Sequence, residues 1–322
     1  MSLRVLVSDK VSRSCLEILE QHGLEVDYLP GRSSEELLAP LATADGWIVR
    51  SATQVTAELL AAAPRLRAVG RAGSGVDNVD VAAATARGVV VMNVPGGNTL
   101  AVAELAFALV AALARHVPQA CASVREGRWE KAAFAGTELA GKTLGVVGFG
   151  RIGRALAARA RAFEMDVLAC DPQPAPGAED TGVPLVGLQD LLRRSDYVSL
   201  HVPLTRETRG LLGAPQLSLM KPTACLVNCA RGGVVDEAAL AAALSAGALA
   251  GAALDVFEQE PPEGNPLVRL PNVICTPHLG ASTAEAQEKV GVSIAEQVAD
   301  ALLGRGARHA VNQPGSAPAQ RG

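Results

Sequence analysis

Aromatic side chains are scarce in this chain, and neither sign of charge is in marked excess. Aromatic residues make up 3% of the 322 residues, too few for the stacking platforms that bind single-stranded nucleic acid. The 29 lysines and arginines are outnumbered by 33 aspartates and glutamates, which gives a net charge of −4. We therefore expect no nucleic-acid partner, because such a partner requires a basic surface to neutralise its phosphates.

Clustered cysteines and long apolar runs are also missing. The six cysteines form no C-x-x-C pair and are spread along a chain much longer than disulfide-rich domains. No further ligand stands near Cys225 and Cys229, so we expect no metal site. The longest apolar run, 105–114, is about half a membrane span, and the N-terminus lacks a signal-peptide core. These features predict a cytoplasmic protein without a membrane partner.

Short, continuously apolar segments alternate with helical segments rich in Ala and Leu. Uninterrupted apolar strands are typical of parallel sheets covered by helices on both faces, and the repeated β-then-α order predicts an α/β fold. The length predicts about two domains. The predicted strands are 4–8, 46–49, 67–72, 89–93, 143–149, 166–170, 197–202, 224–228, 250–256 and 273–277.

Two longer helices are predicted as connectors, over 99–115 and 282–303. In the second, Ser282 and Glu285 have the spacing of a capping box. An apolar stripe with a step of four residues indicates a face that packs in the core. Its members are Val290, Ile294, Val298 and Leu302. Residues 313–322, rich in Pro, Gly and Ala, are predicted to form a mobile tail.

A glycine-rich motif with a structural context predicts a dinucleotide site. Gly148, Gly150 and Gly153 follow an apolar strand and open a helical pattern. In such motifs the three glycines allow a tight turn, close approach of a pyrophosphate, and close packing of helix on strand. Asp171 stands 18 residues after Gly153, near the position of an acid that binds ribose hydroxyls. Because its negative charge would repel a 2′-phosphate, we predict NAD rather than NADP.

Three ionisable residues stand where apolar strands end, which is where ligands collect in open α/β sheets. They are Arg231, Glu260 and His278. A guanidinium can bind a carboxylate, an imidazole can exchange a proton with a hydroxyl, and a glutamate can favour the imidazolium. This set suits hydride chemistry on a 2-hydroxy or 2-keto acid. His201 is the competing histidine, but it falls within a predicted strand, which favours a structural role.

Several motifs, in order along residues 3–312, resemble those of the D-isomer specific 2-hydroxyacid dehydrogenases: GRAGSGVDNVD, GFGRIG, HVPLT, NCARGGVVDE, ALDVFEQEPP and PHLGAST. The resemblance implies that His278 is the proton donor, with Glu260 as its partner and Arg231 as the third catalytic residue. It also implies NAD contacts from these residues: Ser74, Arg151, Ile152, Asp171, Val202, Cys229, Ala230, Arg231, Asp255, His278, Leu279, Gly280 and Ala281.

The resemblance further implies two doubly wound Rossmann-like domains. The NAD-binding domain, residues 98–282, would be inserted into a substrate domain formed by 1–97 and 283–312. A homodimer through the NAD-binding domain is expected, with 129–134 near the inter-subunit arm.

Within the family, the segments VRSATQVT, WEKAAFAGTEL and PHLGASTAEAQ resemble those of the animal-type members that act on 3-phospho-D-glycerate. The implied reaction is NAD-dependent oxidation to 3-phosphohydroxypyruvate, the first step of L-serine biosynthesis. Arg50 and Arg71, which end predicted strands, are candidates for phosphate recognition; Ser74, Gly75 and Lys131 complete the expected substrate contacts. Two alternatives stay open: a hydroxypyruvate or glyoxylate reductase, and a non-enzymatic NAD-sensing protein of the corepressor kind.

Overall fold

A computed structural model describes residues 2–174 and 176–314. The chain divides into two compact units: a terminal unit, which runs up to Asn98 and resumes at Ala281, and a central unit, Thr99–Gly280. From residue 315 onward, the predicted tail lies outside the described residues.

The terminal unit is a parallel sheet with helices on both faces. Its strands pair in the order β2-β1-β3-β4-β5. In chain order the elements are β1 (Arg4–Val7), α1 (Arg13–Gln21), β2 (Glu25–Tyr28), α2 (Ser34–Leu41), β3 (Gly46–Val49), α3 (Ala57–Ala61), β4 (Ala68–Arg71), α4 (Val81–Ala86), β5 (Val90–Met92) and α11 (Ala284–Leu302).

The last helix, α11, covers one face of that sheet. All four residues of its predicted apolar stripe are buried, in one cluster with Val5, Val7 and Met92 of the strands. The predicted capping box is wrong by one residue. The helix is capped by Thr283, whose side chain accepts a hydrogen bond from the Ala286 amide, while Ser282 is exposed before it.

The central unit is a second parallel sheet, in the order β11-β10-β9-β8-β6-β7. Its elements are α5 (Thr99–Ala114), α6 (Val117–Arg125), β6 (Thr143–Val147), α7 (Arg151–Ala162), β7 (Asp166–Cys170), α8 (Leu188–Arg194), β8 (Tyr197–Leu200), α9 (Ala214–Leu217), β9 (Cys225–Asn228), α10 (Glu237–Ser245), β10 (Gly251–Leu254) and β11 (Val273–Cys275), with 3-10 turns at Lys131–Phe134, Glu179–Thr181 and Pro266–Arg269.

The predicted parallel α/β fold is confirmed in both units, and one strand escaped prediction. Strand β2, with the sequence EVDY, lies at the edge of the terminal sheet, and its side chains are half-buried or exposed. Glu25 and Asp27 pair with Arg4 on the neighbouring strand. An edge strand has little apolar surface to bury, so a search for apolar runs passes over it.

Two features are absent from the described residues. No single helix among them is long and apolar enough to cross a membrane, although α5 and α6, bent by 64° at their junction, pass that test as a pair. Within residues 2–174 and 176–314, no group of three His, Cys, Asp or Glu side chains is placed to hold a metal ion.

Candidate active site

The glycine-rich loop between β6 and α7 has the geometry of a phosphate cradle. Gly148 has a φ of +92°, and a Cβ there would lie 2.7 Å from the His201 carbonyl. A Cβ on Gly153 would lie 2.3 Å from the Gly148 carbonyl oxygen. Both positions therefore exclude a side chain, because the backbone of neighbouring segments occupies the space.

The start of α7 fits an anionic group. Gly150 precedes the helix and has no side chain with which to cap the first turn, so the amides of Arg151 and Ile152 face outward. Apart from the chain neighbours, no described atom lies within 4 Å of a Cβ built on Gly150. Open space in front of unpaired amides at a helix N-terminus is what a pyrophosphate requires.

Asp171 follows β7 and lies against the same loop. One carboxylate oxygen accepts a hydrogen bond from the Phe149 amide at 2.8 Å, and the other accepts from the Gln173 amide at 2.9 Å. Each oxygen has a further lone pair for a ligand. The residues present thus fit a dinucleotide with an unphosphorylated adenosine ribose.

The predicted strand 197–202 is two residues too long: β8 ends at Leu200, so His201 and Val202 lie in the loop that follows it. The His201 Nε2 is 2.9 Å from the Ser199 hydroxyl, and its Nδ1 is buried with no hydrogen-bond partner among the described atoms. Burial lowers the pKa of His201 to about 4. A neutral imidazole held below the glycine-rich loop has a packing role, which supports its interpretation as structural.

His278 and Glu260 form a close pair at the carboxyl edge of the central sheet. The His278 Nδ1 lies 2.7 Å from the Glu260 Oε2, and the Glu260 Oε1 accepts from the Phe257 amide at 3.1 Å. Glu260 is thereby fixed from both oxygens. Since Nδ1 is engaged, Nε2 is the imidazole nitrogen that remains for a substrate hydroxyl.

The contact between His278 and Glu260 shifts the pKa of both side chains. The hydrogen bond to Glu260 raises the pKa of His278, although burial partly opposes this. Burial alone would raise the pKa of Glu260, but the hydrogen bonds from His278 and from the Phe257 amide outweigh it, and the pKa is lowered. The arrangement therefore favours an imidazolium beside a carboxylate, a group suited to proton exchange with a hydroxyl.

Asp255 holds the loop that carries His278. Its fully buried carboxylate accepts hydrogen bonds from the Thr276 hydroxyl at 2.6 Å, the Leu279 amide at 2.7 Å and the Gly280 amide at 2.8 Å. His278 itself has a left-handed φ of 53°, which is uncommon for a residue with a Cβ. The carboxylate thus stabilises the conformation that directs the imidazole toward Glu260.

Arg231 follows β9 and lies within electrostatic range of the pair. Its positive charge lowers the pKa of Glu260 and opposes protonation of His278. Asn228 shapes the turn, because its side-chain amide donates to the Arg231 carbonyl at 3.0 Å and its side-chain oxygen accepts from the Ala230 amide. The central unit therefore brings all three predicted catalytic residues to one edge.

Gly232 allows the turn after β9 to approach the segment that carries Glu260. A Cβ at that position would lie 1.8 Å from the Phe257 carbonyl oxygen. Only glycine permits the turn after β9 to touch the segment that carries Glu260. Sequence reasoning quoted Asn228 and Gly232 only as letters of the NCARGGVVDE motif and passed over Thr276, because none of the three is titratable and the role of each depends on its contacts in the fold.

A mainly apolar cavity of about 480 Å³ adjoins the His278–Glu260 pair. The His278 and Glu260 side chains remain 48% and 38% exposed, so the pair is open to a ligand that enters this cavity. Besides the pair and Thr276, its lining residues are Phe257, Pro261, Pro262, Cys275 and Pro277.

The other predicted contacts are divided between the units. In the central unit, Cys229 and Ala230 are buried after β9, and Leu279 and Gly280 lie on the loop held by Asp255. Lys131, in the same unit, is exposed in a 3-10 turn. The predicted contacts in the terminal unit are Arg50, Arg71, Ser74, Gly75 and Ala281.

Four of the terminal-unit residues, all except Ala281, lie at the ends of strands β3 and β4 or in the segments that follow them. Arg71 ends β4, and Arg50 directly follows β3, the strand beside it. Ser74 and Gly75 are in the loop after β4, where the Ser74 hydroxyl contacts the Asn98 side-chain oxygen at 2.8 Å.

Comparison with known proteins identifies the class. Residues 107–280 match the NAD-binding domain of the D-isomer specific 2-hydroxyacid dehydrogenases, which is more than half of the chain. The chain belongs to this family, and its central unit contains the NAD-binding domain. The predicted family and the predicted cofactor, NAD, are confirmed.

Within the family, the similar curated proteins share one name. D-3-phosphoglycerate dehydrogenase of Methanocaldococcus jannaschii is 49% identical over 97% of this chain, and that of Rattus norvegicus is 49% identical over 96%. The chain spans 60% and 58% of their respective lengths.

Among solved structures, a Thermus thermophilus protein superposes with a TM-score of 0.88 at 40% identity, covering 96% of this chain and all of that one. A glyoxylate reductase from Paecilomyes thermophila gives 0.86 at 29% identity, covering 96% of this chain and 98% of its own.

Proposed function

We propose that this chain catalyses the NAD-dependent oxidation of 3-phospho-D-glycerate to 3-phosphohydroxypyruvate, the first step of L-serine biosynthesis. The observation that carries the proposal is the His278–Glu260 pair at 2.7 Å, in a chain about half identical to D-3-phosphoglycerate dehydrogenases over nearly its whole length. When bound beside the glycine-rich loop, NAD would supply the hydride acceptor for this oxidation.

In this proposal, the residues of the chain handle the proton and the substrate carboxylate. His278, as the neutral imidazole, takes the hydroxyl proton at Nε2 and becomes the imidazolium that Glu260 stabilises. Arg231 binds the carboxylate and polarises the developing carbonyl, because its guanidinium forms paired, charge-assisted hydrogen bonds. In the reverse direction, the imidazolium returns the proton.

Phosphate recognition is assigned to the terminal unit. Arg50 and Arg71 start from neighbouring points of its sheet, since Val49 is the register partner of Arg71. Guanidiniums that start from adjacent backbone positions can supply the charge and the forked donors that a phosphate dianion requires. Ser74, Gly75 and Lys131 are proposed as further substrate contacts.

A substrate panel tests the proposal. We expect NADH to appear on addition of 3-phospho-D-glycerate and NAD, with a much smaller kcat/KM for D-glycerate. Turnover of hydroxypyruvate and glyoxylate, without turnover of the phosphorylated compounds, would instead favour a reductase. The similar structure from Paecilomyes thermophila is named a glyoxylate reductase. Binding of NADH without turnover of any of these acids would favour a non-enzymatic NAD sensor.

We also propose a cytoplasmic homodimer formed through the central unit. Trp129 supports this, because its side chain is 85% exposed just before the 3-10 turn at Lys131–Phe134. Val117 and Val124 on α6 are also more than half exposed, as expected of a surface that a second copy covers. Sedimentation of the purified protein as a monomer at micromolar concentration would contradict the proposal.

A further inference from the structure

The turn 50–53, which carries Arg50, is held from one side by the end of β1. Asp9, only 5% exposed, accepts hydrogen bonds from the Arg50 amide and the Thr53 amide with one oxygen, and from the Thr53 hydroxyl at 2.8 Å with the other. A buried carboxylate with this many donors fixes the backbone around it. The turn therefore starts from a rigid anchor.

Asn78 holds the same turn from the opposite side. Its side-chain amide nitrogen donates to the carbonyls of Arg50 and Thr53, both at 2.6 Å. Its side-chain oxygen accepts from the Arg71 Nε at 3.4 Å. Asn78 is itself located by the Val55 amide, which donates to its backbone carbonyl at 2.8 Å.

The contacts use both donors of the Asn78 amide and its oxygen. One side chain thus connects the backbone at Arg50 with the guanidinium of Arg71. Aspartate has the same shape but no donor when ionised, and it would place negative charge against two carbonyl oxygens. The geometry therefore requires a planar group that donates twice and accepts once.

We propose that Asn78 is a positioning residue that sets the relative placement of Arg50 and Arg71 and thereby the preference for a phosphorylated substrate. The inference rests on the proposed function, because it assumes that the two guanidiniums bind the substrate phosphate. Asn78 is not expected to touch the substrate. Its effect on turnover passes through the two arginines.

Two substrates that differ only in the phosphate provide the test: 3-phosphohydroxypyruvate and hydroxypyruvate, each reduced with NADH. For Asn78→Ala, we expect kcat/KM for the phosphorylated substrate to fall about tenfold or more, mainly through KM, which corresponds to losing charge-assisted contacts. For hydroxypyruvate we expect less than about a twofold change, since a phosphate-free substrate makes no use of the paired guanidiniums. Asn78→Asp should behave like Asn78→Ala, because the shape is kept and both donors are lost.

Asn312 offers a matched control in the same unit. Its side chain also makes three hydrogen bonds: to the Thr85 hydroxyl, to the Val89 carbonyl and from the Val91 amide. Asn312→Ala should lower the thermal midpoint to a similar degree and leave the ratio of the two kcat/KM values unchanged. This separates lost stability from lost positioning.

The outcomes distinguish the inference from the function on which it rests. If the wild-type protein does not reduce 3-phosphohydroxypyruvate, the proposed function is wrong, and this is known before any variant is made. A wild-type protein that does so, with equal losses on both substrates in Asn78→Ala, overturns the positioning role alone. Wild-type selectivity in Asn78→Asp, or lost selectivity in Asn312→Ala, also overturns it.

Discussion

In each of the two sheets, polar groups lie at the carboxyl ends of the parallel strands. The side chains that they hold differ between the sheets. In the central unit, Asp255 and Glu260 hold an imidazole whose pKa they raise. In the terminal unit, Asp9 and Asn78 hold turns that carry permanent cations. In the proposed function, one edge exchanges a proton and the other supplies a constant positive charge. The comparison shows that anchored carboxylates can serve either task, depending on the side chain that the loop presents.

The largest expected effect comes from removing the imidazole of His278 at the edge of the central sheet. For His278→Ala, we expect kcat to fall about 10²–10⁴-fold, the usual contribution of a general acid or base. NADH binding, followed by fluorescence, should persist because the glycine-rich loop is untouched. His309→Ala, an exposed histidine of the terminal unit, serves as the control. Undiminished turnover in His278→Ala would remove the proton-exchange assignment.

Removing one cation tests the terminal edge. For Arg50→Ala, we expect KM for 3-phospho-D-glycerate to rise about 10- to 100-fold, as for the loss of charge-assisted hydrogen bonds. KM for D-glycerate should change little. Arg13→Ala removes an exposed charge of the same unit and should affect neither substrate. Equal effects of Arg50→Ala on both substrates would defeat the phosphate assignment.

A change of charge beside the imidazole should move a pH profile rather than abolish activity. Glu260→Gln removes the carboxylate that raises the pKa of His278, so that pKa should fall. Oxidation requires the neutral imidazole and should become half-maximal at a lower pH. Reduction requires the imidazolium and should decline at a lower pH, while kcat falls about tenfold. Unchanged profiles in both directions would show that Glu260 does not control this proton.

The smallest expected effect concerns α11 rather than either edge. Thr283→Ala should lower the free energy of unfolding by about 1 kcal/mol, because the Ala286 amide loses its acceptor. Ser282→Ala should have almost no effect. Chemical denaturation measures both variants, and the opposite ranking would restore the cap that the sequence pattern predicts.

Features governed by local rules could be predicted from sequence. The glycine motif, Asp171 and the strand-end positions of Arg231, Glu260 and His278 depend on residue type and spacing. What escaped prediction depends on contacts between distant segments. Gly232 meets Phe257, Asp255 binds the amides of another loop, and β2 pairs with β1 along its backbone while its acidic side chains contact Arg4. Such contacts leave no periodic pattern, because the partner of each residue is set by the fold.

The interrupted course of the terminal unit has a consequence for biosynthesis. Helix α11 supplies Val290, Ile294 and Val298 to one face of a sheet whose strands all precede residue 93. A ribosome releases those strands long before it reaches the helix, whereas the central unit is translated without interruption. Because a unit can fold only after all of its segments have emerged, the central unit can fold before the terminal unit is complete. Until α11 has been synthesised, the nascent sheet exposes one apolar face, which a chaperone can bind.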